Sequence, residues 1–291
     1  MLEAKSSLIN KEKIAAGLFL FLGIVNIGFV LVICIYLVIT GLPGIIKIGL
    51  WDFILGTQWA STASEPKFGI LPFILTSVYG TAGAIFIGLP IGLFTAVYLA
   101  RFASKKTFNI LVPMIDLLAG IPSVVYGFIG MLILVPAIQN IFNLPDGSGL
   151  LASIIVLSVM ILPSIIKVSI NAILSVQEDY ELGSLALGAN EIETAFKVIV
   201  PAARSGIAAA VVLGVGRALG EAMAVMMVAG NVSNMPSIFE SVRFLTTAVA
   251  SEMSYSSGLQ REALFSIALV LVFFIMMINA VLNLYFKGKR K

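Results

Sequence analysis

Six apolar runs, near residues 14–40, 71–100, 109–138, 150–175, 206–230 and 262–286, divide this 291-residue chain. Each is long enough to cross the roughly 30 Å hydrocarbon core of a bilayer as a helix rising about 1.5 Å per residue. Six such segments place the chain far from the usual mix of a soluble domain. The chain is therefore read as an all-α polytopic membrane protein with six transmembrane helices. A composition of 59% hydrophobic and 11% charged residues agrees. The first run, at 27 residues, exceeds the apolar core of a secretory signal, and no convincing small-residue cleavage site follows. It is expected to stay as an anchor.

Short cytoplasmic loops retain Lys and Arg, so the basic residues set the expected orientation. Twelve fall on one side: Lys5, Lys11 and Lys13; Arg101, Lys105 and Lys106; Lys197 and Arg204; and Lys287, Lys289, Arg290 and Lys291. Four fall on the other: Lys47, Lys67, Arg243 and Arg261. Both termini are expected in the cytoplasm, and the net charge of +3 follows from this asymmetry without a nucleic-acid partner. Residues 1–291 read as one transmembrane domain. Within it, 1–65 supplies an anchor helix and an external loop, and 66–286 forms the core.

Gly41, Pro43, Gly44, Trp51 and Trp59 suit a loop over residues 41–70 that rests on the membrane surface. The polar stretch 231–261 reads as a second external loop. On the cytoplasmic side, 176–205 is longer than a plain turn and mixes helix formers with glycines and a proline, the mark of a functional loop. Pro90, Pro122 and Pro163 fall inside the second, third and fourth spans, where proline frees backbone carbonyls and helices often surround cavities.

The fifth span carries two charges, Arg217 and Glu221, one helical turn apart. A charge at the centre of a membrane helix costs roughly 2.5–3.5 kcal/mol on insertion scales, so such residues face a polar pathway or pair with one another. Counting from Gly206, Arg217 lies roughly 16 Å deep and Glu221 roughly 22 Å deep. Small residues recur at four-residue spacing, Gly216, Gly220 and Ala224 on one face and Gly214, Ala218 and Ala222 on another, so neighbours can approach closely. Arg217 offers an anion a planar set of donors that stays charged. Glu221 would keep the binding weak enough for release. The plainer alternative is mutual neutralisation for insertion. Asp116 and Lys167, at similar depth in the third and fourth spans, suggest a structural pair, with Lys167 snorkelling to the interface without a partner as the alternative. Ser123, just after Pro122, is a candidate for the pathway, and Tyr126 either lines it or caps exposed backbone.

Histidine is absent and Cys34 is the single cysteine, so a thiolate metal site and a Ser/His or Cys/His nucleophile are excluded. No G-x-x-x-x-G-K-[ST] loop is present to cradle a nucleotide. The chain is not expected to be an enzyme or to bind a cofactor or metal, and any ATP must be hydrolysed on another subunit.

The sequence LGSLALGANEIETAFKVIVPAARSGI at 182–207 resembles the EAA loop of importer permeases of the ATP-binding-cassette class. Gly188 matches the loop's glycine, Val198 and Val200 its aliphatic pair, and Pro201 its proline, while Leu182, Gly183 and Ser184 occupy the E-A-A positions and Glu181 lies one residue early. The resemblance implies a short helix that docks on an ATPase subunit, with Glu181, Ala186, Gly188, Ala189 and Pro201 as the coupling residues. More narrowly, FGILPFILTSVYGTAGAIFIGLPIGLFTAVYLA at 68–100, DLLAGIPSVVYGFIG at 116–130 and GRALGEAMAVMMVAGN at 216–231 resemble phosphate-specific permeases of the PstC type. Ala222 departs from them, standing where many relatives carry threonine.

That resemblance implies a type I importer permease fold in the inner membrane of a prokaryote. Its expected partners are a second, PstA-like permease, two ATPase subunits that carry ATP and Mg, and an extracytoplasmic phosphate-binding protein. It places Arg217 and Glu221 at positions associated with phosphate passage. Three other readings stay open at this point: a permease for sulfate, molybdate or phosphonate, a nucleotide-independent secondary transporter using Glu221 as a proton site, and a membrane scaffold.

Overall fold

A computed structural model describes residues 2–288, with side chains described for 15–282 and 284. Of the basic residues counted above, Lys289, Arg290 and Lys291 lie outside the described residues, as do the side chains of Lys5, Lys11, Lys13 and Lys287. The chain runs α1 (Leu2–Ile48), α2 (Leu50–Leu55), a two-stranded hairpin of β1 (Trp59–Ala60) and β2 (Lys67–Phe68), then α3 (Leu71–Val97) and α4 (Lys105–Gly120). It continues with α5 (Ser123–Ile129), α6 (Val135–Phe142), α7 (Leu150–Leu174), α8 (Glu178–Ala186), α9 (Glu191–Thr194) and α10 (Val200–Ala202). Finally come α11 (Arg204–Gly220), α12 (Met223–Val228), α13 (Leu245–Glu252) and α14 (Gly258–Gly288). Single π-helical turns at Tyr98–Phe102, Gly130–Leu134 and Ala195–Ile199 extend α3, join α5 to α6 and join α9 to α10.

Five continuous stretches among the described residues are long and apolar enough to span: Ala15–Ile48, Leu71–Phe102, Ser123–Phe142, Leu150–Leu174 and Gly258–Leu282. A sixth is a bent pair, Glu191–Ala202 and Arg204–Gly220, meeting at 71°. Two of the predicted spans are therefore corrected. The third, 109–138, breaks at Ile121 and Pro122, because Pro122 cannot donate to the helix before it and holds the residue ahead of it extended. The fifth, 206–230, breaks at Glu221 and Ala222, where Glu221 takes an extended conformation (φ −73°, ψ 126°).

The best-packed seam lies between α3 and α7. Gly80, Ala84, Gly88, Gly92 and Ala96, all buried, recur every fourth residue and so line one face of α3. Into this face pack the branched side chains of α7. A Cβ built at Gly88 would stand 2.8 Å from Ile161 Cδ1, and one at Gly92 2.8 Å from Ile165 Cγ2. Small residues opposite isoleucine let the two backbones approach and replace lipid contact with close van der Waals packing, the main attraction between helices in a membrane.

At one end of the bundle, α1 runs through Ile48, so the predicted loop at 41–70 begins later and is folded. Gly41 and Gly44 bring α1 against α14, where Ser266 donates to the Gly41 carbonyl at 2.6 Å. Beyond them Phe53, Trp59, Phe68 and Phe73 form a core with Leu245, Ala248, Leu264 and Ile267. The Glu252 carboxylate ties this end together. It accepts from Arg243, from Trp59 Nε1 at 3.3 Å and from Gln260 Nε2 at 3.1 Å. The polar stretch predicted as a loop at 231–261 contains α13, opened by the Thr247 hydroxyl accepting from the Phe244 amide at 3.0 Å.

Candidate functional site

The break after Gly220 changes the relation between the two charges of the fifth span. In an unbroken helix, residues four apart share a face. With Glu221 extended that register is lost, and among the described residues Arg217 and Glu221 form no ion pair. The direct pair along one helix face that the spacing implies therefore does not form.

Each charge has a separate role. Glu221 Oε1 accepts the Ala224 amide at 3.0 Å, so its carboxylate satisfies one of the free N–H groups that open α12. The Glu221 carbonyl, orphaned by the break, accepts from the Thr246 hydroxyl of α13 at 2.7 Å. Arg217 points the other way, donating through Nη1 to Ser164 Oγ of α7 at 3.1 Å. Ser164 is uncharged, so the half-buried guanidinium keeps its full positive charge and most of its donors. The resulting site has an oriented cation and a nearby carboxylate engaged elsewhere, a geometry that can receive and release an oxyanion.

The second break lies alongside the first. Short helices α5 and α12 cross so closely that a Cβ at Gly127 would stand 2.7 Å from Ala224 Cα. Ser123 opens α5 one turn before this crossing, as Glu221 stands just ahead of α12; Ser123 is half-buried and hydrogen-bonds to neither Arg217 nor Glu221. Tyr126 caps backbone. Its hydroxyl donates to the Leu118 carbonyl in the last turn of α4 at 2.7 Å, a carbonyl that also accepts the Ile121 amide at 3.2 Å. Asp116 and Lys167 do pair, at 2.7 Å.

Small residues of α11 divide by face. Gly214 packs on Ile165, where an added Cβ would sit 3.2 Å from Cδ1, and Ala218 is buried, whereas no atom of the described residues lies within 4 Å of Cβ positions built at Gly216 and Gly220. The Gly214 face is thus the packed one and the Gly216 face is open.

The segment 176–205 folds as a compact helical unit. Gly188 takes φ +88°, a left-handed conformation that a side chain would strain, and so lets the chain turn sharply after α8. Asn190 then opens α9 in a capping box, its side chain accepting the Glu193 amide at 2.8 Å. Ala186, Gly188 and Pro201 are exposed and Ala189 is half-buried. Leu182, Leu187 and Ile192 stand exposed beside them, Leu187 at 91%. Glu181 is not free. It forms an ion pair with Arg101, in the π-helical turn that ends α3. Sequence reading passed over Arg101 and Ser164 as partners; the signal for Ser164 was its place one turn before Lys167 on the same helix.

Comparison with known proteins follows this architecture. Residues 88–288 match the family described as binding-protein-dependent transport system inner membrane component. A probable ABC transporter permease, YqgH, of Bacillus subtilis is 40% identical over 268 residues, covering 89% of this chain and 85% of that protein. The phosphate transport system permease PstC of Haemophilus influenzae is 34% identical over 253 residues, covering 77% and 79%. Among solved structures, an inward-facing MetNI methionine ABC transporter chain superposes with a TM-score of 0.57 at 20% identity, covering 77% of this chain and 95% of the other. At that identity the likeness concerns the fold, which is that of type I ABC importer permeases. A match over well more than half of the chain, with multiple spanning helices, shows that this multi-pass bacterial inner-membrane protein belongs to the binding-protein-dependent transport system inner membrane components.

Proposed function

We propose that the chain is a permease subunit that passes inorganic phosphate from an extracytoplasmic binding protein across the membrane by alternating access. The observation that carries this reading is Arg217 held by the neutral Ser164 at 3.1 Å, next to a helix break and with no carboxylate partner among the described residues. PstC proteins 34% and 30% identical to this chain support phosphate as the anion. The chain lies with both termini in the cytoplasm. A PstA-like permease completes the pathway, and two ATPase subunits, which hold ATP and Mg, dock on 176–205 through Glu181, Ala186, Gly188, Ala189 and Pro201. Closure of the ATPases moves this unit and the bent helix α11 attached to it, opening the Arg217 level first to one side and then to the other. Ser123, at the start of α5, lines the pathway beside the break.

The test is radiolabelled phosphate uptake in cells lacking their own high-affinity importer and supplied with the complete set of subunits. Uptake is expected with the unmodified chain and lost with Arg217→Ala at equal membrane abundance. Equal uptake by the two would remove Arg217 from the pathway. Uptake of sulfate or molybdate in place of phosphate would overturn the substrate.

A further inference from the structure

Below the level of Arg217, α7 turns a polar stripe outward. Ser164, Lys167, Asn171 and Ser175 fall within about 80° of arc at 3.6 residues per turn. Lys167, Asn171 and Ser175 are exposed and Ser164 is half-buried. Ile165, Ile166, Ser169, Ile170 and Ile173, on the remaining arc, are buried. Of the large apolar residues between 164 and 174, only Leu174 is exposed, at the rim of the stripe.

A stripe of this kind is costly against lipid. A lone lysine near a helix end can snorkel to water. Lys167 instead bonds Asp116 of α4 at 2.7 Å, with the two side chains 55% and 42% exposed. A polar side chain beside them, Asn171, has no long stem with which to reach an interface. The stripe is bordered by α4 through Asp116 and by α11 through the Arg217 bond to Ser164. It starts at the Arg217 site and ends where the segment 176–205 begins.

We propose that this stripe is the inner half of the translocation route and that Lys167 is a second binding station for the transported oxyanion, one turn of α7 beyond Arg217. The inference rests on the reading of Arg217 as a pathway residue. Ser164 and Lys167 are three residues apart, about 4.5 Å along the helix, short enough for an oxyanion to touch the second cation before leaving the first. Lys167 supplies up to three donors, and Asp116 occupies part of that capacity so the anion is held weakly. Asn171 and Ser175 continue the polar lining toward the exit.

The test uses the complete transporter reconstituted in vesicles, with Cys34→Ser and Asn171→Cys in this chain. Rates of thiol modification are compared for an anionic sulfonatoethyl and a cationic trimethylammonium-ethyl methanethiosulfonate. The anionic reagent is expected to react faster, by on the order of tenfold, as in a water-filled cleft lined by one sign of charge. Lys167→Gln should remove that preference, Lys167→Arg restore it, and Asp116→Asn, which leaves the lysine in place, enlarge it. In the same transporter without Asn171→Cys, Lys167→Gln should lower the maximal rate of phosphate uptake severalfold without changing half-saturation, and Lys167→Arg should recover it.

An unreactive thiol, or a reagent preference that ignores residues 116 and 167, would overturn the proposal, as would full uptake by Lys167→Gln. The labelling uses no substrate. Failure of the unmodified transporter to carry phosphate would therefore sink the phosphate reading alone, while the labelling still decides the station.

Discussion

The α3–α7 seam and the α11–α12 break pass through the same bilayer under opposite rules. Along the seam every fourth residue of α3 is Gly or Ala, the facing side chains are branched and apolar, and both helices stay unbroken for more than twenty residues. At the break the chain forgoes helical hydrogen bonds at residues 221 and 222, and side chains satisfy two of the groups set free: Glu221 takes the Ala224 amide, and Thr246 of α13 bonds the Glu221 carbonyl. In a membrane an unsatisfied backbone group costs several kcal/mol, so such bonds are what let a break persist there. The difference separates a frame from a working part. Packing holds the seam, and a few replaceable hydrogen bonds hold the break.

Enlarging the seam should do the greatest damage. Gly88→Leu forces a side chain against Ile161 Cδ1, already 2.8 Å from a Cβ, and the Ser158 carbonyl, 3.2 Å away. Overpacking costs about 1–3 kcal/mol in a core that can shift, and here one contact is rigid backbone. The variant is expected to lose most of its folded yield in detergent, read by size exclusion. Gly216→Ala, where no atom of the described residues lies within 4 Å, should keep full yield and unfold at or slightly above the unmodified temperature, since alanine is the better helix former. Equal damage from both would mean that glycines matter here for reasons other than the seam.

Next in size is the break itself. Glu221→Ala removes the acceptor of the Ala224 amide and should destabilise the start of α12 by about 1 kcal/mol, the usual worth of an N-terminal cap. Glu221→Gln keeps an oxygen acceptor in the same place and removes only the charge. Thermal unfolding of the assembled transporter should separate them, with the glutamine variant close to the unmodified chain and the alanine variant below it. If both unfold alike, the carboxylate does not act as a cap. A glutamine variant of normal stability and altered uptake would assign the charge to transport.

The two regions were not equally legible in the sequence. Spans two, four and six could be read directly, because a predominantly apolar run as long as 71–100, 150–175 or 262–286 has few other interpretations. The breaks were hidden for the same reason. Ile121, Pro122 and Ala222 are apolar, so hydropathy continues across them, and a proline inside a membrane helix does not by itself announce an end. Arg217 and Glu221 were visible as a site, but their i,i+4 spacing implied a pair that an extended Glu221 dissolves. Capping by Tyr126 and the bond from Arg217 to Ser164 join residues 8 and 53 positions apart, and sequence spacing carries no information about such contacts. Asp116 and Lys167 were foreseen as a pair because matched depth constrains partners in a membrane more than it would in water.

Acid should sharpen the comparison with its smallest effect. The Glu193 carboxyl is held below its ordinary value of 4.5, first by the hydrogen bond from Lys197 and then by the Asn190 amide. Because the folded value is the lower one, its contribution to the 190–194 capping box is fully present above the ordinary carboxylate range and is lost as pH falls through the lowered value. Amide exchange in 190–194, corrected for its intrinsic rate, should therefore quicken only at acid pH. Lys197→Met, which removes the largest cause, should move that onset upward. The α3–α7 seam places no titratable group between Gly80, Ala84, Gly88, Gly92 and Ile161 or Ile165, so its protection should be unchanged over the same range. An onset that does not respond to residue 197, or a seam that opens together with the loop, would mean that acid acts on the whole bundle and that 190–194 is not an independently capped unit.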